Sequence, residues 1–324
     1  MKHYMLGSSK KSKKSEFRRE LSKNGPLFTM LLPGTVFTIL FAYLPIFGIF
    51  IAFKDLNMRQ GILGSPWCGL ENFKYMFKSN DAWVVLRNTL GYNIVFLIVG
   101  MILSVGLAVL LSCMRNKIVS KVYQTVLIMP HFLSYIVVAC LVMAFLNVEH
   151  GFMNKTILPM LGYDTINNPI SWYTTPKAWP VILFIVHVWK TAGYSSILYL
   201  AAIAGIDAEL YEAAEVDGAT SWDKIWYITI PGIKTVIIID FILCVGRILN
   251  GDFGLFMQVP LSQGALYSTT NILSTYIYYM MVGAGTKGMG ISAAAAFLQS
   301  VVGFILVVTT NQITKKIDPE TGLF

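Results

Sequence analysis

Charge is the scarcest commodity in this sequence. Of 324 residues, 13% are Asp, Glu, Lys or Arg, against 55% hydrophobic, whereas a soluble domain carries about 25% charged residues. A chain this apolar has lipid as the solvent for much of its surface. Cysteine is scarcer still. Cys68, Cys113, Cys140 and Cys244 lie far apart and form no CxxC pair, so neither a zinc site nor a disulfide framework is indicated. Three of the four fall in or beside apolar segments, where Cys is a small hydrophobe. No G-x-x-x-x-G-K-[ST] phosphate loop occurs. Gly283 to Gly288 matches G-x-G-x-x-G, but no strand precedes it and no βαβ unit surrounds it, which argues against a dinucleotide site. His131, His150 and His187 are scattered away from any acidic cluster, so metal or hydrolytic chemistry is not indicated. His131 follows Pro130 at an expected helix bend and reads as structural.

What the chain does have is long apolar runs. A helix needs about 20 largely apolar residues to cross the hydrocarbon core. Six segments qualify, at about 27–53, 84–112, 122–147, 178–204, 233–250 and 291–313. The runs are continuous rather than alternating, which excludes a β-barrel, so the expected fold is an all-α membrane protein with six transmembrane helices. The first run is too long for a signal-peptide core of about 7–15 residues and reads as an uncleaved span. Pro33 and Pro45 should bend it.

The net charge of +8 is unevenly spread. Lys2, Lys10, Lys11, Lys13, Lys14, Arg18, Arg19 and Lys23 all precede the first apolar run. A basic tail over residues 1–26, beside a membrane span, suits the positive-inside rule and anionic lipid headgroups. No recognition fold accompanies the charge, so nucleic acid is not an expected partner. With the N-terminus inside, fifteen Lys and Arg fall on the inner side and eight on the outer. The bias predicts N-in, C-in topology. The outer segments are long enough to hold short interfacial helices, in Lys54 to Trp83, Asn147 to Lys177 and Gly251 to Gly290.

One polar island stands out, over 205–232, between the fourth and fifth runs on the predicted inner side. Asp207 can cap a helix with Glu209 and Glu212 in or near its first turn. Leu210, Ala213 and Ala214 share one side at helical spacing, and the small alanines allow close approach. Gly218 can take positive φ and end that helix. Ser221 can cap a second, which Pro231 should stop. The shape expected is two short helices at an angle, projecting from the membrane. Taken alone, such a segment also fits an amphipathic hairpin lying on the inner leaflet.

The order Glu212-Ala213-Ala214, Asp217-Gly218, Ile228 and Pro231 resembles the EAA loop of binding-protein-dependent ABC importers. WCGLENF from Trp67, MPHFLSYIVVA from Met129, GIDAELYEAAEVDGA from Gly205, IPG from Ile230 and STYIYY from Ser274 extend the likeness to sugar-importer permeases of the maltose-permease type. It covers about Leu27 to the C-terminus. The oligosaccharide branch, with the alginate-importer and LplB-type permeases, is the most similar. The one departure is Ile230, where the family favours Leu, and the swap conserves volume. The resemblance implies a permease subunit rather than an enzyme, residing in a bacterial plasma membrane. It implies cytoplasmic EAA coupling helices, in which Glu212, Ala213, Ala214, Asp217, Gly218 and Pro231 contact an ATPase. The implied partners are a second homologous permease subunit, as a heterodimer, two ABC ATPase subunits that carry the ATP and Mg, an extracytoplasmic solute-binding protein and an oligosaccharide. No cofactor is expected in this chain itself.

Polar groups inside a membrane are costly and usually face the bundle interior. Lys190 falls in the fourth run, Asp240 and Arg247 in the fifth. The latter two are seven residues apart and therefore share a face. Lys190 and Arg247 are candidates to contact substrate, Trp189 and Tyr194 to stack on sugar rings, and Asn250 and Asp252 to bond hydroxyls. Two bases in the pathway would suit an acidic sugar such as a uronate oligomer. Each of these residues also has a structural reading: a snorkelling lysine, or an Asp240–Arg247 lock to the partner subunit. An ion-coupled secondary transporter would need more intramembrane carboxylates and often internal repeats. A membrane anchor or sensor would need no polar pathway.

Overall fold

The computed structural model describes residues 23–165 and 167–317, and the basic tail preceding Lys23 lies outside them. Among the described residues the architecture is helical, with a single isolated β-bridge between Lys54 and Trp67. Four helices are long and apolar enough to cross a bilayer: α1 (Gly25–Phe53), α3 (Asn80–Ser112), α6 (Pro176–Ala204) and α12 (Gly285–Ile317). A short amphipathic helix, α2 (Glu71–Lys78), precedes α3. Two further apolar stretches are bent pairs. The first joins α4 (Lys117–Phe132) to α5 (Tyr135–Leu146) at 96°, and the second joins α8 (Ser221–Gly232) to α9 (Lys234–Gly246) at 56°.

The bent pairs leave four to six crossings, six if each pair is one span, and the bend expected at Pro130 is a full break. In the run 122–147 the backbone leaves the helix at Leu133, with ψ 134°, and Ser134 caps a new helix by accepting from Val137 N. Pro130, which lacks an N–H, sits in the last turn before the break. In the first span, Pro45 registers as a change of winding rather than a sharp bend. A π turn over Ile39–Tyr43 gives way to 3₁₀ winding over Leu44–Phe53, while Pro33 is carried within regular helix.

Helices α3 and α6 form the spine and run in the same direction. Phe96 stacks on His187 with ring centroids 3.9 Å apart. Eight residues further along α3 and five along α6, Ser104 Oγ donates to Ala192 O at 3.4 Å. Further on, Ala108 shares a core with Tyr199 and Ile203. Two helices can run parallel only if the chain between them returns, and it does so through α4–α5. Small residues set the other contacts. A Cβ at Gly193 would overlap the Leu127 backbone, so α6 lies directly against α4. Gly246 and Gly303 bring α9 against α12 in the same way. This close approach is how helices associate without a hydrophobic drive in lipid.

The segments outside the long helices are compact units. Lys54 is buried and donates to Ile62 O and Leu63 O, each at 2.8 Å. Asn154 is buried and links Val148 O, Ile170 O and the Trp172 indole. The expected short helices are present between α9 and α12, as α10 (Phe253–Gln258) and α11 (Leu273–Gly283). The G-x-G-x-x-G stretch, expected in a loop, forms the end of α11 and the start of α12, hinged at Gly285 with φ +60°.

Candidate functional site

Two places bring the chemistry-bearing residues together: a helical hairpin at one end of the bundle and a polar cavity inside it. In the hairpin, α7 (Ala208–Val216) starts at Asp207, whose side chain accepts from Glu209 N. It ends at Gly218, φ +78°, where Ala219 N bonds back to Ala214 O at 2.9 Å. That conformation is costly for any residue with a Cβ. The second helix, α8, is capped by Thr220 rather than Ser221, one residue earlier than expected. Thr220 and Asp223 form a reciprocal capping box.

Pro231 was expected to stop α8, but it lies inside the helix, which runs on to Gly232 before the bend into α9. Proline's missing N–H is accommodated by a π turn over Ile225–Thr229 just upstream. Tyr211 and Thr229 hydroxyls meet at 3.0 Å across the pair, and Lys224 reaches Glu215 at 3.0 Å. Glu212, Ala213, Asp217 and Gly218 are exposed. Leu210, Val216, Trp222 and Trp226 are exposed as well, so the hairpin presents carboxylates beside uncovered apolar side chains.

The cavity holds about 360 Å³ between α3, α6, α9 and the segment after α9. Its wall carries Asn93 and Ser104 from α3, and His187, Thr191, Ser195 and Tyr199 from α6. Asp240, Arg247, Asn250 and Asp252 complete it. The α6 contributors are four residues apart, one stripe on one face. Most of these groups are held by cross-helix bonds. Asn93 Nδ2 donates to Ile248 O at 2.7 Å. Tyr199 OH donates to Asp240 Oδ2 at 2.6 Å. Tyr135 OH donates to Asp252 Oδ2, and Gln299 Nε2 to Asn250 Oδ1. Among the described residues no carboxylate lies within ion-pair distance of Arg247. His187 stacks on Phe96 and leaves Nδ1 without a partner.

Arg247 and Asn250 are thus both on the cavity wall, with Asp240 and Asp252. Trp189, Lys190 and Tyr194 are not. Trp189 is two residues, about 200°, round the helix from His187. It lines a separate apolar groove with Val138, Phe145 and Ile185. Tyr194 stacks on His131 at 3.9 Å. Lys190 is buried, with its ammonium on the carbonyls of Pro130, His131 and Leu133 and 4.7 Å from the Tyr135 ring centroid. It closes the break between α4 and α5 and has no donor left for a substrate. Tyr199, Asn93 and His187 were missed as wall residues. The signal that could have found His187 and Tyr199 is the four-residue polar spacing along α6; Asn93, on α3, has no such repeat to mark it.

Known proteins resemble this chain over most of its length. The family described as binding-protein-dependent transport system inner membrane component matches residues 100–319. Protein LplB of Bacillus subtilis is 36% identical over 305 residues, covering 94% of this chain and 92% of that protein. The Bacillus subtilis polygalacturonan/rhamnogalacturonan transport system permease protein YteP is 35% identical, covering 96% and 94%. Among solved structures, a bacterial ABC transporter involved in import of the acidic polysaccharide alginate superposes with TM-score 0.83 and 32% identity over 94% of this chain and 99% of that one. The same transporter type in complex with an alginate pentasaccharide-bound periplasmic protein gives TM-score 0.82 at 31% identity.

Proposed function

The chain belongs to the binding-protein-dependent transport system inner membrane components, and from that premise we propose how it works: as the subunit that carries an oligosaccharide across the membrane by alternating access. It is a transporter subunit and not an enzyme, a multi-pass membrane protein of an ABC importer for sugar or polysaccharide. The observation that carries the finer reading is the cavity. A bundle built from apolar helices encloses a wall of amides, hydroxyls, two carboxylates and one guanidinium, the donor and acceptor set that a polyhydroxylated substrate needs. Such groups cost free energy in a bilayer, and where they occur they usually mark a substrate or ion pathway.

The rest of the machine is inferred around it. The parallel course of α3 and α6 supports counting α4–α5 as one crossing; counting α8–α9 in the same way gives six spans, with both termini inside the bacterial plasma membrane. The α7–α8 hairpin then projects into the cytoplasm. There Glu212, Ala213, Ala214, Asp217 and Gly218, with Pro231 setting the exit of α8, dock a partner ATPase that binds ATP and Mg. The functional unit contains a second permease subunit, as a heterodimer, and two ATPases, and an extracytoplasmic binding protein delivers cargo. Nucleotide-driven closure of the ATPases turns the cavity outward, by their differential affinity for the two states. The cargo is an acidic oligosaccharide of the uronate kind. This is supported by the Arg247 guanidinium, which lies on the cavity wall with no carboxylate in ion-pair distance among the described residues, and by relatives named for alginate and polygalacturonan. Lys190 no longer contributes to that argument.

The test is ATPase stimulation of the assembled importer by its binding protein loaded with an oligogalacturonate or with a malto-oligosaccharide. Stronger stimulation by the acidic cargo is expected. Equal stimulation would remove the acidic reading and leave the importer reading intact.

A further inference from the structure

The break between α4 and α5 and the substrate cavity are joined by one line of contacts. Where α4 ends, the carbonyls of Pro130, His131 and Leu133 have no α-helical partner ahead of them, because the backbone turns extended at Leu133. Lys190, buried on α6, supplies all three donors of its ammonium to these carbonyls. Gly193, three residues on, lies against the Leu127 backbone. The α4 side of the break is therefore clamped to α6. The α5 side is held differently. Its first residue, Tyr135, places its ring 4.7 Å from the Lys190 ammonium and beside Gly254, where a Cβ would overlap the ring. Its hydroxyl donates to Asp252 Oδ2. Asp252 uses its other oxygen to cap α10 at Leu255 N, 3.1 Å, and is itself part of the cavity wall.

We propose that Tyr135 is a positioning residue that makes the bend of the α4–α5 crossing sensitive to cargo at Asp252. The inference rests on the reading of the cavity as the cargo site. A sugar hydroxyl that donates to Asp252 Oδ2 competes with the Tyr135 hydroxyl for the same acceptor. When the tyrosine yields, α5 keeps its apolar packing against α10 and α6, through Val138 among others, but loses its hydrogen bond to Asp252, while α4 stays pinned by Lys190. The crossing can then change its angle at Leu133–Ser134 as α5 shifts on its apolar, non-directional contacts with α6 and α10. Cargo binding and helix geometry are thereby coupled through a single hydrogen bond. A conformational change needs a ligand with differential contacts in the two states, and Asp252 provides one.

The experiment uses the complete importer in nanodiscs, with ATPase measured with and without binding protein loaded with an oligogalacturonate, an alginate oligosaccharide or a malto-oligosaccharide. Tyr135→Phe keeps the ring over Lys190 and beside Gly254 and removes only the hydroxyl. The ratio of cargo-stimulated to basal ATPase is expected to fall about tenfold, the size of losing one hydrogen bond to a charged acceptor. Asp252→Asn retains a helix cap and should also lower the ratio. Combined with Tyr135→Phe it should add little, since both act through one bond. An unchanged ratio in Tyr135→Phe overturns the proposal, as do fully additive losses in the double variant. A wild-type importer that none of the loaded forms stimulates would bring down the importer reading and this inference with it.

Discussion

The α7–α8 hairpin and the cavity wall are built on opposite plans. The hairpin satisfies its polar backbone from within: Asp207 caps α7, Thr220 and Asp223 cap α8, and Tyr211 meets Thr229 across the pair. Its apolar and acidic side chains are left facing outward. The cavity wall does the reverse. Its polar side chains point inward and are tied across helices, Tyr199 to Asp240 and Asn93 to Ile248, from helices α3, α6 and α9 and the non-helical segment that follows α9. A self-contained element with an uncovered face is suited to dock on another protein and to move as a unit. A wall assembled from four segments is suited to change shape when those segments shift. Substitutions should therefore separate: in the hairpin, contact and stability can be lost independently, whereas in the wall they fall together.

The largest effect is expected from Gly218→Pro. Proline fixes φ near −65° where the native value is +78°. It also removes the donor to Glu215 O. The hairpin should lose its angle, with complete loss of ATPase retention in a detergent pull-down and persistent membrane insertion. Next is Asp240→Ala, which strands the hydroxyl of the buried Tyr199. The expected cost is about 1–3 kcal/mol, read as a lower unfolding temperature in detergent. Removing both partners, as Asp240→Ala with Tyr199→Phe, should recover part of that loss. Thr220→Ala removes the α8 cap and should cost about 1 kcal/mol by the same assay, with ATPase retention reduced in proportion. Glu212→Ala sharpens the contrast most. Glu212 is exposed, so stability should change by less than about 0.5 kcal/mol, yet ATPase retention should drop. A Glu212→Ala variant that unfolds would mean the hairpin is not the self-contained element described.

The two regions were also unequally legible in the sequence. The hairpin is local: a cap, two alanines and a glycine at fixed spacing carry it. Its second cap falls one residue early, because Thr220 and Ser221 are chemically equivalent neighbours, and α8 ends one residue after Pro231 rather than at it. Arg247, Asn250 and Asp252, which lie on the cavity wall, are conspicuous in the sequence as polar residues near the end of an apolar run. Trp189, Lys190 and Tyr194 lie off the cavity wall for a geometric reason. Aromatic and charged side chains mark a helix but not which of its faces meets the cavity. That is decided by where α3 and α9 pack, and the neighbours chose the face of His187, Thr191, Ser195 and Tyr199. The 96° break was half legible. Pro130 signalled a bend, but its sharpness depends on the Ser134 cap and on Lys190 from 60 residues away.

The central claim is that this chain carries a sugar by taking work from an ATPase through α7–α8. The most direct test is co-purification of the tagged subunit from mild detergent, wild type beside Glu212→Ala, followed by an ATPase assay. The account predicts an ATPase that copurifies with the wild type and is lost or uncoupled in the variant, which remains folded. Stable subunit recovered without any ATPase under several gentle conditions, or retention and coupling identical in both, would contradict it.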